Sequence, residues 1–221
     1  MEARTKMKKL LLATAMLIAT QANAAEKLSF PHAAELTDQA KTIVFQEVNE
    51  AKIPNSKHRE MICLAENIYF EARAESVEGK AAVANVTRNR VESDRFPNTY
   101  CEVVYQGPVR ESWKTKQDKS LPDSKRVCYP IKHRCQFSWY CDGKKDIIWA
   151  NLERTGELIE LNAQAWRQSV EIAIWTLGYG SYRVNDNTQG ALWYYAHNIV
   201  YPTWADSHTT TAIIGGHTFQ K

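Results

Sequence analysis

Glu71 is the residue of this chain whose type and spacing best suit proton transfer. It follows Leu64 by seven positions and Ile68 by three, so on a helix it shares their apolar side. Tyr69 and Phe70 adjoin it. A carboxyl aimed along such a face is partly desolvated, which disfavours its charged form and suits it to act as a general acid near neutral pH. Glu75, four residues on, would add a second negative charge if the helix reaches that far. Glu66 falls on the opposite side and is expected in solvent. The plain alternative is a helix-end carboxylate paired with Arg73 or Arg88.

Two further constellations carry polar and aromatic groups together. In Cys135-Gln136-Phe137-Ser138-Trp139-Tyr140-Cys141 these types alternate, as along a short strand that could line a groove, stapled by its flanking cysteines. Trp193-Tyr194-Tyr195-Ala196-His197-Asn198 is followed by Pro202-Thr203-Trp204 and Gly215-Gly216-His217. Aromatic rings among Asn, Gln and His suit sugars, which offer apolar faces and hydroxyl edges. No CxxC pair, HExxH or GxSxG elbow supports a metal centre or a serine triad. A zinc site would have to draw on His133, His197, His208 or His217.

Helices come first along the chain and short strands late, an α+β pattern dominated by helices. The apolar spacing predicts helices over His32–Ala51, Lys57–Arg73, Ser76–Ser93 (Ser76 as N-cap) and Asn162–Leu177. Strands are expected at Gln136–Tyr140, Ala191–Tyr195 and Thr211–Phe219, the last with a turn or bulge at Gly215-Gly216. Between helices and strands runs a long connection, Gly107–Lys132, with seven Lys/Arg against three Asp/Glu.

The chain has 221 residues, a net charge of +3 and a mean hydropathy of −0.48, which argue for one globular domain and against a polytopic membrane protein or a disordered chain. Arg4, Lys6, Lys8 and Lys9 precede a largely apolar run, Leu10–Thr20, and a small-x-small site, Ala22-Asn23-Ala24. That order matches a cleavable secretory leader over residues 1–24, and the run is too short for the ~20 residues of a membrane span. Without it 24 basic residues face 24 acidic ones, so the charge gives no ground for a nucleic-acid partner. Residues 25–56 then read as an N-terminal helix and linker, and 57–221 as a catalytic domain. All five cysteines follow the leader, where an oxidising compartment favours disulfides among Cys63, Cys101, Cys135 and Cys141, in a pairing that spacing leaves open.

Cys63-Leu64-Ala65-Glu66-Asn67-Ile68-Tyr69-Phe70-Glu71-Ala72-Arg73 resembles the opening motif of the SleB-type (spore-cortex-lytic) cell wall hydrolases. Asn89-Arg90-Val91, Phe96-Pro97-Asn98-Thr99-Tyr100-Cys101, the Cys-Gln-Phe-Ser segment and Ile214-Gly215-Gly216-His217-Thr218-Phe219 continue the likeness in order. It implies a lysozyme-like, lytic-transglycosylase-related fold that cleaves peptidoglycan strands between N-acetylmuramic acid and N-acetylglucosamine. Glu71 would be the acid of the Glu-Ala-Arg motif. Glu75, Gln136, Phe137, Ser138, Tyr195, His197, Trp204 and His217 would contact substrate. No metal or cofactor, no nucleic acid and no membrane anchor is expected, and the protein would be a monomer acting in the periplasm or outside the cell. A zinc-dependent N-acetylmuramoyl-L-alanine amidase and a non-catalytic wall-binding protein are the alternatives.

Overall fold

The computed structural model describes residues 34–148 and 156–221, with the side chains of 156–159 left aside. The expected leader, residues 1–24, lies outside the described residues. A segment of the described chain, 109–129, forms a unit of its own; 34–108 and 130–221 together form a larger one.

In the larger unit β1 (Glu35–Leu36) pairs in parallel with β4 (Ile147–Ile148), and α1 (Asp38–Glu50) follows it. Thr37 starts α1 by accepting a hydrogen bond from the Ala40 N–H, and Asp38 in the first turn suits the helix dipole. α2 (Asn55–Ala72) packs on α3 (Val77–Val91), α4 (Tyr100–Val104) and α6 (Gly156–Thr176). Ser76 caps α3 through the Gly79 N–H, as its sequence predicts, while Arg88 and Arg90 occupy the last turn. Thr99 caps α4 and donates in turn to the Glu102 carboxylate at 2.8 Å, a reciprocal start.

α2 is enclosed rather than amphipathic. Every residue from Cys63 to Tyr69 is buried. One side meets Ala40, Ile43, Val48 and Trp166 of α1 and α6. Trp166 is fully buried and donates its indole N–H to the Ala40 carbonyl at 3.1 Å; its loss to Ala would cost roughly 3–5 kcal/mol. The helix expected at the N-terminus therefore shares the core of the larger unit. Another side meets a cluster around Val103, Val104, Tyr105, Phe137, Trp139 and Tyr140, pinned by the Cys63–Cys101 disulfide. Asn67 bridges the two neighbours of α2, donating to Thr87 of α3 at 3.2 Å and accepting from the Trp139 indole at 3.0 Å.

Two expectations change here. Glu66, expected in solvent, is 1% exposed, because α2 has no solvent side at that level. Gln136–Tyr140, expected as a strand, ends in a 3₁₀ turn over Ser138–Cys141. The Cys135–Cys141 disulfide closes a loop of sequence separation six, too tight for an extended segment. The alternation that suggested a strand arises from exposed Gln136 and Ser138 between buried Phe137 and Trp139. Cys128 is the free cysteine among the described residues.

The sheet is antiparallel in the order β5 (Trp193–Ala196), β7 (His217–Gln220), β6 (Thr210–Ile214). Tyr194 is opposite Phe219, and Ala196 opposite His217. β6 and β7 form the hairpin turned by Gly215-Gly216. Phe219 is fully buried against Ala82 and Val86, which seats the sheet on α3. In the smaller unit β2 (Val109–Glu111) pairs with β3 (Cys128–Pro130), and α5 (Trp113–Gln117) is a single short helix between them.

Candidate active site

Glu71 sits in the last turn of α2, where the enclosed helix first comes out toward solvent, and is half-buried. Burial raises its pKa above the ordinary carboxyl value, opposed by a hydrogen bond from Tyr194 and by the positive charge of Arg90. Tyr194 on β5 donates its hydroxyl to Glu71 Oε2 at 3.0 Å. The same desolvation, joined by the Glu71 charge, drives the Tyr194 phenol well above its usual pKa, so it remains a donor. Its ring packs against Phe219 and His217 at centroid distances of 5.6 and 5.4 Å.

Arg90, in the last turn of α3, supplies the nearby cation. It is 4% exposed, donates Nε–H to the Leu192 carbonyl at 2.8 Å, and lies over the Phe96 and Phe137 rings at 5.3 and 5.0 Å. Its Nη1 is buried with no hydrogen-bond partner among the described residues. Burial pulls its pKa down to about 10, against the raising effect of Tyr194 and Glu71. Neither expected counter-ion serves Glu71: Arg73 lies over the Tyr69 ring at 5.8 Å, and Arg88 donates to the Val184 carbonyl at 3.0 Å.

The α3 face beside Arg90 holds the approach to β5 in place. Asn85 donates to the Asn185 carbonyl and to Asn187, and Asn89 to Asp186 and the Ala191 carbonyl. These bonds carry the chain through 184–192 so that β5 begins with Tyr194 aimed at α2. Several hydrogen bonds, from Thr188, Gly190 and Asn89, outweigh burial and hold Asp186 below its usual pKa.

Glu75 has a separate environment. Its carboxylate accepts the Gly216 N–H at 3.2 Å and lies 3.8 Å from His217 Nδ1. A Cβ on Gly215, where φ is +56°, would fall 1.9 Å from Glu75 Oε2. Glu75 thus seats the hairpin turn on the α2–α3 junction, and Lys80 donates to the Glu75 carbonyl beneath it. His217 is buried and its pKa is lowered by that burial, opposed by the Glu75 charge.

The remaining expected contacts divide by exposure. Gln136, Ser138, His197 and Trp204 are exposed and Tyr195 is half-buried. Tyr195 meets the Tyr201 and Trp204 rings edge-on, both at 5.8 Å, and Trp204 neighbours His208. His197 exchanges a hydrogen bond with Thr218 at 3.2 Å. Phe137 is a correction: at 3% exposure it packs beneath Arg90 within the disulfide cluster and presents no surface to a ligand. Among the described residues no three His, Cys, Asp or Glu side chains could hold a metal ion together.

Sequence reasoning missed Arg90 and Tyr194 as partners of Glu71. A strand sends successive side chains to opposite faces, so Tyr194-Tyr195 offered one inward ring, with no local signal for which.

A family model described as Cell Wall Hydrolase matches residues 74–220, beginning three residues after Glu71. No curated protein matches the chain significantly. Among solved structures, it is similar to the catalytic domain of the germination-specific lytic transglycosylase SleB from Bacillus anthracis, at 24% identity over 76% of this chain and 100% of that one, with a TM-score of 0.46. It is also similar to the catalytic domain of the Bacillus cereus SleB protein, at 24% identity over 76% and 95%, with a TM-score of 0.40. Among the described residues no helix is long and apolar enough to cross a membrane.

Proposed function

Because the chain belongs to the cell wall hydrolase family, we propose that it cleaves peptidoglycan glycan strands between N-acetylmuramic acid and N-acetylglucosamine, with Glu71 as the single general acid and base. The observation that carries this reading is the Glu71 environment: a desolvated carboxyl with one hydroxyl donor and one buried cation beside it. Desolvation favours the protonated form that a general acid needs. Glu71 gives that proton to the glycosidic oxygen as the bond breaks and the strand leaves. The Tyr194 hydroxyl and Arg90 then stabilise the carboxylate left behind, which takes a proton from the next nucleophile.

A lytic-transglycosylase course fits best, with the muramyl 6-hydroxyl attacking its own anomeric carbon to give a 1,6-anhydro end. That course needs no second carboxylate to activate water. Glu66 is buried against Tyr105, and the Glu75 carboxylate is taken up by the Gly216 N–H. Gln136, Ser138, Tyr195, His197 and Trp204 would hold sugar hydroxyl and acetamido groups, and His217 would act through Tyr194, which it supports. Export by a leader cleaved after Ala24, a lysozyme-like core and a monomer without membrane anchor, cofactor or nucleic-acid partner complete the proposal.

The test is Glu71→Gln, which keeps the shape and removes the acid. Digestion of purified sacculi should slow by about 10²–10⁴-fold, with mass spectrometry of wild-type products showing anhydro-muropeptides. A Gln variant that clears sacculi at the wild-type rate, or products that are free peptides and intact glycan, would overturn it.

A further inference from the structure

Resting on the reading that peptidoglycan is the substrate, we propose that the segment 109–129 is a second, non-catalytic site that binds a glycan strand by its sugar faces and the carboxylates of its peptide stems. The segment is internally built. Ser112 N–H donates to the Val127 carbonyl at 2.7 Å, and the Thr115 hydroxyl donates to the Ser112 carbonyl at 3.2 Å, joining the β2–β3 ribbon to α5. The result is a cavity of about 580 Å³ whose lining includes Arg110, Trp113, Lys114, Lys116 and Tyr129.

Charge within the segment is sorted. Arg126 donates to Glu111 at 2.7 Å and to Asp123 at 3.1 Å, and Asp118 accepts from Ser120 at 2.6 Å. Arg126 thereby offsets Glu111, which also lines the cavity and feels the Lys116 charge, while Asp118, held by a neutral hydroxyl, stays an exposed carboxylate. Among the described residues no ion pair takes Arg110, Lys114 or Lys116, so the cavity faces solvent as a cationic surface.

Its apolar element is equally specific. Trp113 is 65% exposed, with the Lys114 ammonium 5.9 Å from its ring centre. A scattered exposed aromatic needs no explanation, but one set in a concave surface among unpaired cations matches a ligand with apolar ring faces and acidic groups side by side. Peptidoglycan has both on one strand. Single-stranded nucleic acid shares the chemistry, yet membership of the cell wall hydrolase family argues for the wall.

The experiment uses the full chain with Glu71→Gln, so that sacculi are bound without being digested. Sacculi are stripped of phosphate polymers before pelleting. Arg110→Glu/Lys114→Glu/Lys116→Glu together should weaken pelleting about tenfold and flatten its salt dependence, and Trp113→Ala should weaken it comparably. Amidating the sacculus carboxyls should reproduce the loss with the unreversed chain. With Glu71 intact, the charge-reversed chain should cleave short soluble glycan fragments at the wild-type rate, because tethering matters only on the polymer. Unchanged pelleting by the charge-reversed chain overturns the proposal. So does binding that vanishes once phosphate polymers are stripped, or tighter binding to single-stranded DNA through the same residues. A wild-type chain that releases no glycan fragment defeats the catalytic reading instead, whatever the pelleting shows.

Discussion

Replacing Tyr194 by Phe removes one oxygen and little else. The ring keeps its place against Phe219 and His217, while Glu71 Oε2 loses the hydroxyl that donates to it at 3.0 Å. That hydrogen bond favours the ionised carboxylate, so its loss pushes the Glu71 pKa further up. A hydrogen bond to a charged group contributes about 1.5–3 kcal/mol, and the partial exposure of Glu71 places it at the low end. About 1.4 kcal/mol corresponds to one pH unit. An acid acts while protonated, so activity falls as pH rises through its pKa. The alkaline limb of sacculus clearance against pH should therefore move up by about one unit in Tyr194→Phe. The height of the plateau is a separate quantity, because the same hydroxyl also steadies the carboxylate after proton transfer. A limb that stays in place, or moves to lower pH, would refute the assignment of Glu71 as the acid tuned by Tyr194.

Three further outcomes follow from the same geometry. Burial raises Glu66 from 4.5 to about 7, against the hydrogen bond donated by Tyr105 and with a further push from Asp146. The native state thus holds this proton more tightly than the unfolded chain, so stability falls as pH rises from about 4.5 to 7. Glu66→Gln should flatten that decline and raise stability above neutral pH by roughly 1–3 kcal/mol; a lower melting temperature there than wild type would count against it. Gly215→Ala should cost at least 1–2 kcal/mol for the left-handed backbone alone, with a further cost for displacing the Glu75 carboxylate. That lowers the melting temperature by about 2–4 °C per kcal/mol, and adding Glu75→Ala should recover only the clash. Cys63→Ser/Cys101→Ser opens a loop of sequence separation 38, worth about 4 kcal/mol in chain entropy, so a melting temperature unmoved from the oxidised wild type would contradict the structural role of this disulfide.

The place of the proposed acid was legible because it depends on one helix: the spacing of Leu64, Ile68 and Glu71 sets where that carboxyl lies on α2. Its partners were not, because they depend on how separate elements meet. Arg90 acts on Glu71 from a separate helix, α3, which meets α2 through the Asn67–Thr87 hydrogen bond, whereas Arg73 and Arg88 were close in sequence or pattern and have other partners. Glu66 failed for a related reason. A helical stripe reveals one buried side, and it is silent about a second or third neighbour covering the rest, as Tyr105 and Trp139 do here. The Ser76 cap and the Gly215-Gly216 turn were legible because both are local chemistry. The aromatic segment at Gln136–Tyr140 misled because a short disulfide loop can mimic the period of a strand.

The enclosure of α2 has a consequence for how this site responds to damage. Seven consecutive buried residues, Cys63–Tyr69, stop any fraying of the helix from passing inward beyond the last turn that carries Glu71. Its amides should exchange with solvent deuterium only through whole-molecule opening, among the slowest in the chain. The pedestal beneath Glu71 should therefore lack a loosened intermediate state. Variants that erode stability elsewhere in the core should keep the specific activity of their folded fraction unchanged and lose only the size of that fraction.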